Sequence, residues 1–342
     1  MEDVSPTIRA RAPLRLSFAG GGTDVSPYCE EHGGAVLNAT VDRFAYASVS
    51  PCAQGFIVRS LDYDCTVSCD LEAEFAKDGQ LSLAKAVVDR FRRDFDLSSG
   101  VRVTLHNDAP PGSGLGSSSA ITVALVACLA RAHRVPLDSY DLAELAYEIE
   151  RVDAKIKGGR QDQYAATFGG VNFIEFEAGR TVVNPLRITP DTLYEVQYRL
   201  LMARVGPSRT SDRIISRQVE NYVKGSEATI QAMHGLKELA YEMKRALLLG
   251  QITLMGELLH KGWQHKKAMA DGIATPYANE VYELARAAGA LGGKMSGAGG
   301  GGFMVFLCKD DRTFAVQAAL EESGVETSKV AFGGEGVQTW RV

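Results

Sequence analysis

The stretch Pro110-Pro-Gly-Ser-Gly-Leu-Gly-Ser-Ser-Ser-Ala120 decides the reading of this chain. Before it, Val101, Val103 and Leu105 alternate with polar residues, the period of a half-buried strand. After it, Ala120 to Ala130 (AITVALVACLA) is uniformly apolar. That run is far short of the ~20 residues a membrane span needs, so it predicts a buried helix. A glycine-rich turn between strand and helix lets backbone N–H groups face inward. The first helical turn adds free N–H donors and the positive end of the helix dipole. Pro111, Gly112, Ser113, Gly114, Leu115, Gly116, Ser117, Ser118 and Ser119 are therefore read as a phosphate cradle, and a polyphosphate is the ligand that suits it. The loop is not a Walker sequence, because the required Lys is absent. Nor does it fit the dinucleotide register: Gly112, Gly114 and Gly116 give GxGxG, with Ser117 where the third glycine belongs. A nicotinamide dehydrogenase is excluded on that ground.

Outward from the loop, residues 8–20 read as a strand running into Gly20-Gly21-Gly22. Residues 34–69 read as short β-rich runs in an antiparallel meander, and Leu83 to Phe95 as a helix. Leu142, Leu145, Ile149, Val152 and Ile156 form one helical stripe begun at Asp138 and stopped by Gly158-Gly159. Gly170 to Glu177 predicts a strand. A boundary between Asn184 and Pro190 divides the chain into domains 1–188 and 189–342. In the second, Glu195 to Val205 reads as a strand, followed by three or four helices between Ser211 and Gly289. A glycine run (Gly297 to Gly302), a strand (Phe303 to Cys308), a helix (Arg312 to Ser323) and a last strand (Gly333 to Trp340) complete it. Strands and helices in that order predict α+β.

Composition narrows the function. The chain has 342 residues and a net charge of −5, which argues against a nucleic-acid binder. Its 35 glycines, about 10% against a usual ~7%, are clustered. The N-terminus lacks the apolar core of a signal peptide. The six cysteines are scattered, and Cys65 and Cys69 have no second pair to complete a zinc site. A cytoplasmic protein with no membrane partner is expected.

Two further clusters share the chain with the serine loop: Pro13-Leu-Arg-Leu-Ser-Phe-Ala-Gly-Gly-Gly-Thr-Asp24 and Lys294-Met-Ser-Gly-Ala-Gly-Gly-Gly-Gly-Phe303. The three, in this order, resemble the signature motifs of the GHMP kinases, among them galactokinase, homoserine kinase and mevalonate kinase. The resemblance runs from about residue 8 to the C-terminus. It implies a two-domain α+β fold: a mixed α/β N-terminal domain and a ferredoxin-like C-terminal domain with extra helices. Residues 17–42 (SFAGGGTD…PYCEEHGGAVLNATVD), residues 159–176 (GRQDQYAATFGGVNFIEF) and Gly206 to Ser211 resemble more closely the family's D-glycero-D-manno-heptose 7-phosphate kinases. That implies ATP-dependent phosphorylation of the anomeric hydroxyl to give the 1,7-bisphosphate, a precursor of bacterial surface polysaccharide. The alternatives are a fucokinase-like or galactokinase-like enzyme, or a non-catalytic sugar or nucleotide sensor on the same fold.

By the same resemblance, Asp162 would be the catalytic base and Arg15 would sit beside it. Ser118 and Glu150 would hold Mg²⁺, as a serine and a helix glutamate do in mevalonate kinase. Gly21, Gly22, Thr23 and Asp24 would border the sugar. The galactokinase pattern has Glu and His where this chain has Gly21 and Gly22, which would leave room for a larger, phosphorylated sugar. Arg209, in Gly206-Pro-Ser-Arg-Thr-Ser211, is the first choice for the sugar phosphate, with Ser211 beside it; Arg213, Lys266 and Lys267 are weaker candidates. Gly297, opening the last glycine run, would approach the nucleotide phosphates and substrate or pack against the serine loop. Expected partners are ATP and a small sugar phosphate, with a homodimer as a further expectation. Trp263, His234, His260 and His265 read as packing and surface residues.

Overall fold

The structure, a computed structural model, describes residues 6–206 and 211–342. β1 (Ile8–Ala19) is followed by α1 (Tyr28–His32), β2 (Gly34–Pro51), β3 (Phe56–Ser60), β4 (Cys65–Cys69), α2 (Ser82–Asp94) and β5 (Val101–Asn107). Then come α3 (Ser117–His133), α4 (Ser139–Glu148), α5 (Gln161–Phe168), β6 (Val171–Glu177) and β7 (Arg180–Pro185). The second half holds α6 (Pro190–Arg199), β8 (Leu200–Arg204), α7 (Ser211–Val223), α8 (Glu227–Leu248), α9 (Ile252–Met269) and α10 (Pro276–Ala288). β9 (Ala290–Met295), β10 (Phe303–Cys308), α11 (Thr313–Glu322), β11 (Thr327–Ser328) and β12 (Gln338–Arg341) follow.

The first sheet has the order β12-β1-β2-β5-β3-β4, with β6 paired to the early part of β2 and β7 paired to β6. Residues 34–51 form one long strand, longer than the short run expected there. Its first part pairs with β6 and its second with β5, so a single strand serves two neighbours. The expected meander of residues 34–69 is also absent. β5 lies between β2 and β3 and runs parallel to β3. Gly100 permits this insertion, because a Cβ there would lie 2.3 Å from the Cys52 carbonyl oxygen and 2.4 Å from that of Gly55.

α3 is buried on nearly every side and packs on β1 and β2, as its uniformly apolar sequence requires. The Asp138 side chain caps α4 through a capping box with Asp141. Past Glu148 the helix widens into a π turn, Ile149–Asp153, and ends before the expected Gly158-Gly159 stop.

The second sheet has the order β11-β8-β10-β9 and is entirely antiparallel. β8, the helices α7 to α10, β9, β10, α11 and β11 give the β-α-β-β-α-β order of a ferredoxin-like unit with extra helices in its first crossover. The expected strand over Glu195 to Val205 begins only at Leu200. Thr189 and Pro190 start a helix there, the Thr189 hydroxyl accepting from the Thr192 N–H. The halves share a core: Leu200, Met202, Met243 and Leu259 belong to the same cluster as Leu14, Val103 and Leu125. The chain finally returns to the first sheet, where β12 pairs with β1. No described helix is long and apolar enough to cross a membrane.

Candidate active site

The three glycine-rich segments meet in one place. Gly114 and Gly297 touch so closely that a Cβ on Gly297 would lie 2.9 Å from the Gly114 Cα. The Phe303 N–H donates to the Ser113 carbonyl at 3.1 Å, and the Arg15 N–H to that of Leu115 at 2.9 Å. Gly112, Gly114 and Gly116 all have φ between 75° and 78°, a conformation that an L side chain adopts only with strain. The loop thereby delivers its chain into α3 with the Ser117, Ser118 and Ser119 N–H groups at the helix start.

These segments enclose a cavity of about 260 Å³. Arg15, Gly21, Gly22, Asp24, Gly112, Gly114, Gly116, Ser117, Ser118, Ser119, Glu150, Asp162 and Gly297 line it. Ser113, Leu115 and Thr23 do not. Ser113 and Leu115 are buried beneath the loop. The Thr23 hydroxyl is occupied by the Gly20 and Ala35 carbonyls, which hold the Gly20–Asp24 turn against β2. Pro111 lies in an adjoining apolar cleft of about 560 Å³, which shares Gly112, Ser117, Ser118 and Ile156 with the cavity. Arg209 lies outside the described residues, as does the Ser211 side chain. Arg213 is exposed, and Lys267 sits over the Trp263 ring at 5.8 Å; neither lines the cavity.

At the centre, Arg15 and Asp162 form a two-pronged ion pair. The Arg15 Nε donates to Asp162 Oδ1 at 2.7 Å and Nη2 to Oδ2 at 2.7 Å. Nη1 donates to the Gly114 carbonyl at 2.7 Å, so the arginine also ties the base candidate to the serine loop. Arg15 is 4% exposed, while the Asp162 side chain keeps 23% exposure toward the cavity. Gly116 is favoured here by its φ of 75°, and a Cβ on it would also crowd Asp162 Oδ2 at 3.3 Å.

Asp24 faces the same space. Its Oδ1 accepts from the Gly22 N–H at 3.0 Å and its Oδ2 from the Gln161 N–H at 3.1 Å. Two backbone donors fix the carboxylate and leave lone pairs for a hydroxyl. A Cβ on Gly159 would fall 1.9 Å from Oδ2, so the Gly158-Gly159 turn makes way for this carboxylate. The two glycines at 21 and 22 differ. Beside Gly22 the space is filled, with Met269 Cε 2.7 Å from an added Cβ; beside Gly21 the neighbours are the Ser17 hydroxyl and the Gln161 amide.

Glu150 stands in the π turn, 2% exposed. Its Oε2 accepts from Ser119 Oγ at 3.1 Å and Arg151 Nη1 at 3.2 Å, whereas Oε1 has no partner among the described residues. Burial raises its pKa, opposed by Arg151. The serine that touches Glu150 is thus Ser119, itself held by Gln163, and Ser118 faces the cavity beside them. A buried carboxylate oxygen with no donor is the environment a hard cation completes, so these residues fit Mg²⁺.

Two lysines complete the cavity wall. Lys266 on α9 donates to the Gly21 carbonyl at 3.1 Å, and Lys294 on β9 to the Ser17 carbonyl at 2.6 Å. Burial, opposed by Asp24 and aided by Arg15, lowers Lys266 to about 8. Burial, then Lys266 and Arg15, lowers Lys294 well below the usual range. A signal for Lys266 exists in the sequence: it continues the buried stripe Leu259, Trp263, Lys266, Met269 of α9.

Sequence profiles match at both ends of this arrangement. The GHMP kinase N-terminal domain matches residues 82–170, and the GHMP kinase C-terminal domain matches residues 243–326. The chain is 37% identical over 344 aligned positions to D-glycero-alpha-D-manno-heptose 7-phosphate kinase of Campylobacter jejuni, covering 98% of this chain and 99% of that protein. The chain belongs to the GHMP kinases. Within that family it is 28% identical to the L-fucokinase/L-fucose-1-P guanylyltransferase of Bacteroides fragilis, over 88% of this chain and 34% of that longer protein. A crystal structure of a D-glycero-D-manno-heptose 1-phosphate kinase from Bacteriodes thetaiotaomicron superposes with a TM-score of 0.82. It has 34% identity, covering 98% of this chain and 99% of its own. Lactococcus lactis galactokinase, at 18% identity and a TM-score of 0.76, shares the fold. As a GHMP kinase the protein is an ATP-dependent phosphotransferase.

Proposed function

We propose that this kinase transfers the γ-phosphoryl group of ATP to the anomeric hydroxyl of D-glycero-D-manno-heptose 7-phosphate, giving the 1,7-bisphosphate and ADP. The observation that carries the reading is the Arg15–Asp162 pair. It stands between the serine loop, which suits a polyphosphate, and the Gly21–Asp24 turn, which suits a sugar. The 37% identity to the Campylobacter enzyme over 98% of the chain supports the choice of heptose.

The triphosphate lies against the Ser117–Ser119 N–H groups, and the nucleoside enters the adjoining cleft between Leu81, Leu105 and Ile121. Asp24 accepts from ring hydroxyls and fixes the sugar. Asp162 accepts the proton of the anomeric hydroxyl as its oxygen forms a bond to the γ-phosphorus. The bond to the β–γ bridging oxygen breaks, and ADP leaves with that electron pair. Arg15 holds the Asp162 carboxylate in orientation, and its positive charge offsets charge on the transferring group. Glu150, with Ser118 and Ser119, would hold Mg²⁺, which supplies neutralisation of phosphate charge when bound.

The first 188 residues carry the nucleotide side and the base, and residues 189–342 close the cavity with Lys266, Lys294 and Gly297. The unpaired state of all six cysteines supports a reducing, cytoplasmic setting. ADP release with ATP and a panel of sugars tests the reading. Heptose 7-phosphate should exceed free heptose, galactose, fucose and heptose 1-phosphate in kcat/KM. Preference for any of these others overturns it.

A further inference from the structure

The cavity holds more cationic and polar capacity than phosphoryl transfer uses. Arg15 is paired with Asp162 and Arg151 with Glu150, and Asp24 accepts from two backbone donors. Lys266 and Lys294 have no ion-pair partner among the described residues. Each bonds one backbone carbonyl, of Gly21 and Ser17 respectively, and an ammonium has three donors. They are 6% and 5% exposed and open onto the cavity. Around them, Ser17 Oγ, Ser296 Oγ and Gln161 Oε1 are buried without a hydrogen-bond partner among the described residues. Two buried lysines without an ion-pair partner, their charged forms opposed by burial and favoured only by nearby Asp24, and two unpartnered hydroxyls form a site that an anionic group would complete.

Which anion belongs there follows from position. The nucleotide phosphates are served by the α3 N-terminus, on the side that adjoins the apolar cleft. The lysines instead reach the carbonyls of Ser17 and Gly21, on the strand and turn that border the sugar. Resting on the sugar-phosphate reading above, we propose that Lys266 and Lys294, with the Ser17 and Ser296 hydroxyls, hold the acceptor's own phosphate group and select phosphorylated over free sugar. Gly21 keeps this wall low, since a side chain there would crowd the Ser17 hydroxyl at 3.2 Å. The negative charge of a dianion between the lysines would also offset the repulsion and the cost of burial that lower both of them.

The test compares wild type with Lys266→Met and Lys294→Met on D-glycero-D-manno-heptose 7-phosphate and on free heptose. The readout is the ratio of the two kcat/KM values, with ATP affinity measured by calorimetry to confirm a folded nucleotide site. A charge-assisted bond to phosphate contributes roughly 1.5–3 kcal/mol, so each variant should lower the selectivity ratio by about 10–100-fold. An unchanged ratio overturns the proposal, whether both substrates suffer equally or neither does. If wild type itself prefers the free sugar, the acceptor reading fails first, and that outcome is visible without any variant. Should the variants not fold, wild type alone carries the test. Lys266, facing Asp24, Arg15 and Lys294, loses its proton near pH 8. Thus kcat/KM for the phosphorylated sugar should fall more steeply above that pH than kcat/KM for the free sugar. Parallel profiles overturn the proposal.

Discussion

Replacing Asp162 with Asn removes the proposed proton acceptor while keeping its shape. In the structure both carboxylate oxygens accept from Arg15 at 2.7 Å. The amide oxygen can keep one of those bonds, but its NH₂ group then opposes a guanidinium N–H. Removing one partner of a buried pair costs about 3–5 kcal/mol. Here Asp162 is partly exposed and Arg15 retains the Gly114 carbonyl, so about 2–3 kcal/mol is the expected loss of stability. Turnover should suffer separately, by about 10²–10⁴, the usual contribution of a general base. The serine loop binds the nucleotide through backbone groups that the change leaves in place, so ATP affinity should stay within about threefold. The assay is single-turnover phosphoryl transfer with saturating ATP, alongside calorimetric ATP binding and urea unfolding. A folded Asp162→Asn protein with turnover within tenfold of wild type would refute the base assignment. A matching loss of ATP affinity would show that the change acts through the loop.

The other predictions follow from single contacts. Glu150→Gln should raise the Mg²⁺ concentration for half-maximal rate by at least about tenfold, by loss of one anionic ligand; an unchanged titration returns Glu150 to a structural role. In wild type, burial raises the Glu150 pKa, so its protonated form persists to higher pH than an ordinary glutamate's. Mg²⁺ affinity should therefore weaken as pH falls toward that raised value, as followed by kinetic Mg²⁺ titrations at stepped pH. Gly159→Ala places a Cβ 1.9 Å from Asp24 Oδ2 and should raise KM for the sugar by about tenfold or more, with KM for ATP unchanged. Arg15→Lys keeps the charge but cannot bridge both Asp162 oxygens, so kcat should fall while the fold survives thermal unfolding near the wild-type temperature.

The turn between β5 and α3 is legible because its pattern is local: glycines, serines and a helix start lie within eleven consecutive residues. Arg15 and Asp162 were named from a resemblance; their direct contact depends on how β1, α5 and the loop converge, which spacing does not reveal. Lys294 precedes the last glycine run, and a lysine there looks like a surface charge until β9 is seen to be buried throughout. Lys266 had a readable signal in its helical stripe. Ser118 and Ser119 are adjacent on α3, and only the helix rotation decides that Ser119 reaches Glu150. The order of β2, β5 and β3 was hidden for a similar reason: β5 enters the sheet from a distance in sequence, through a close approach that Gly100 allows.

The most direct measurement is phosphorus and carbon NMR of the product formed from ATP, Mg²⁺ and D-glycero-D-manno-heptose 7-phosphate. A new phosphate coupled to C1, with the 7-phosphate retained and one ADP released per product, is the expected result. A product phosphorylated at another carbon, or ADP released without a sugar product, would contradict the account.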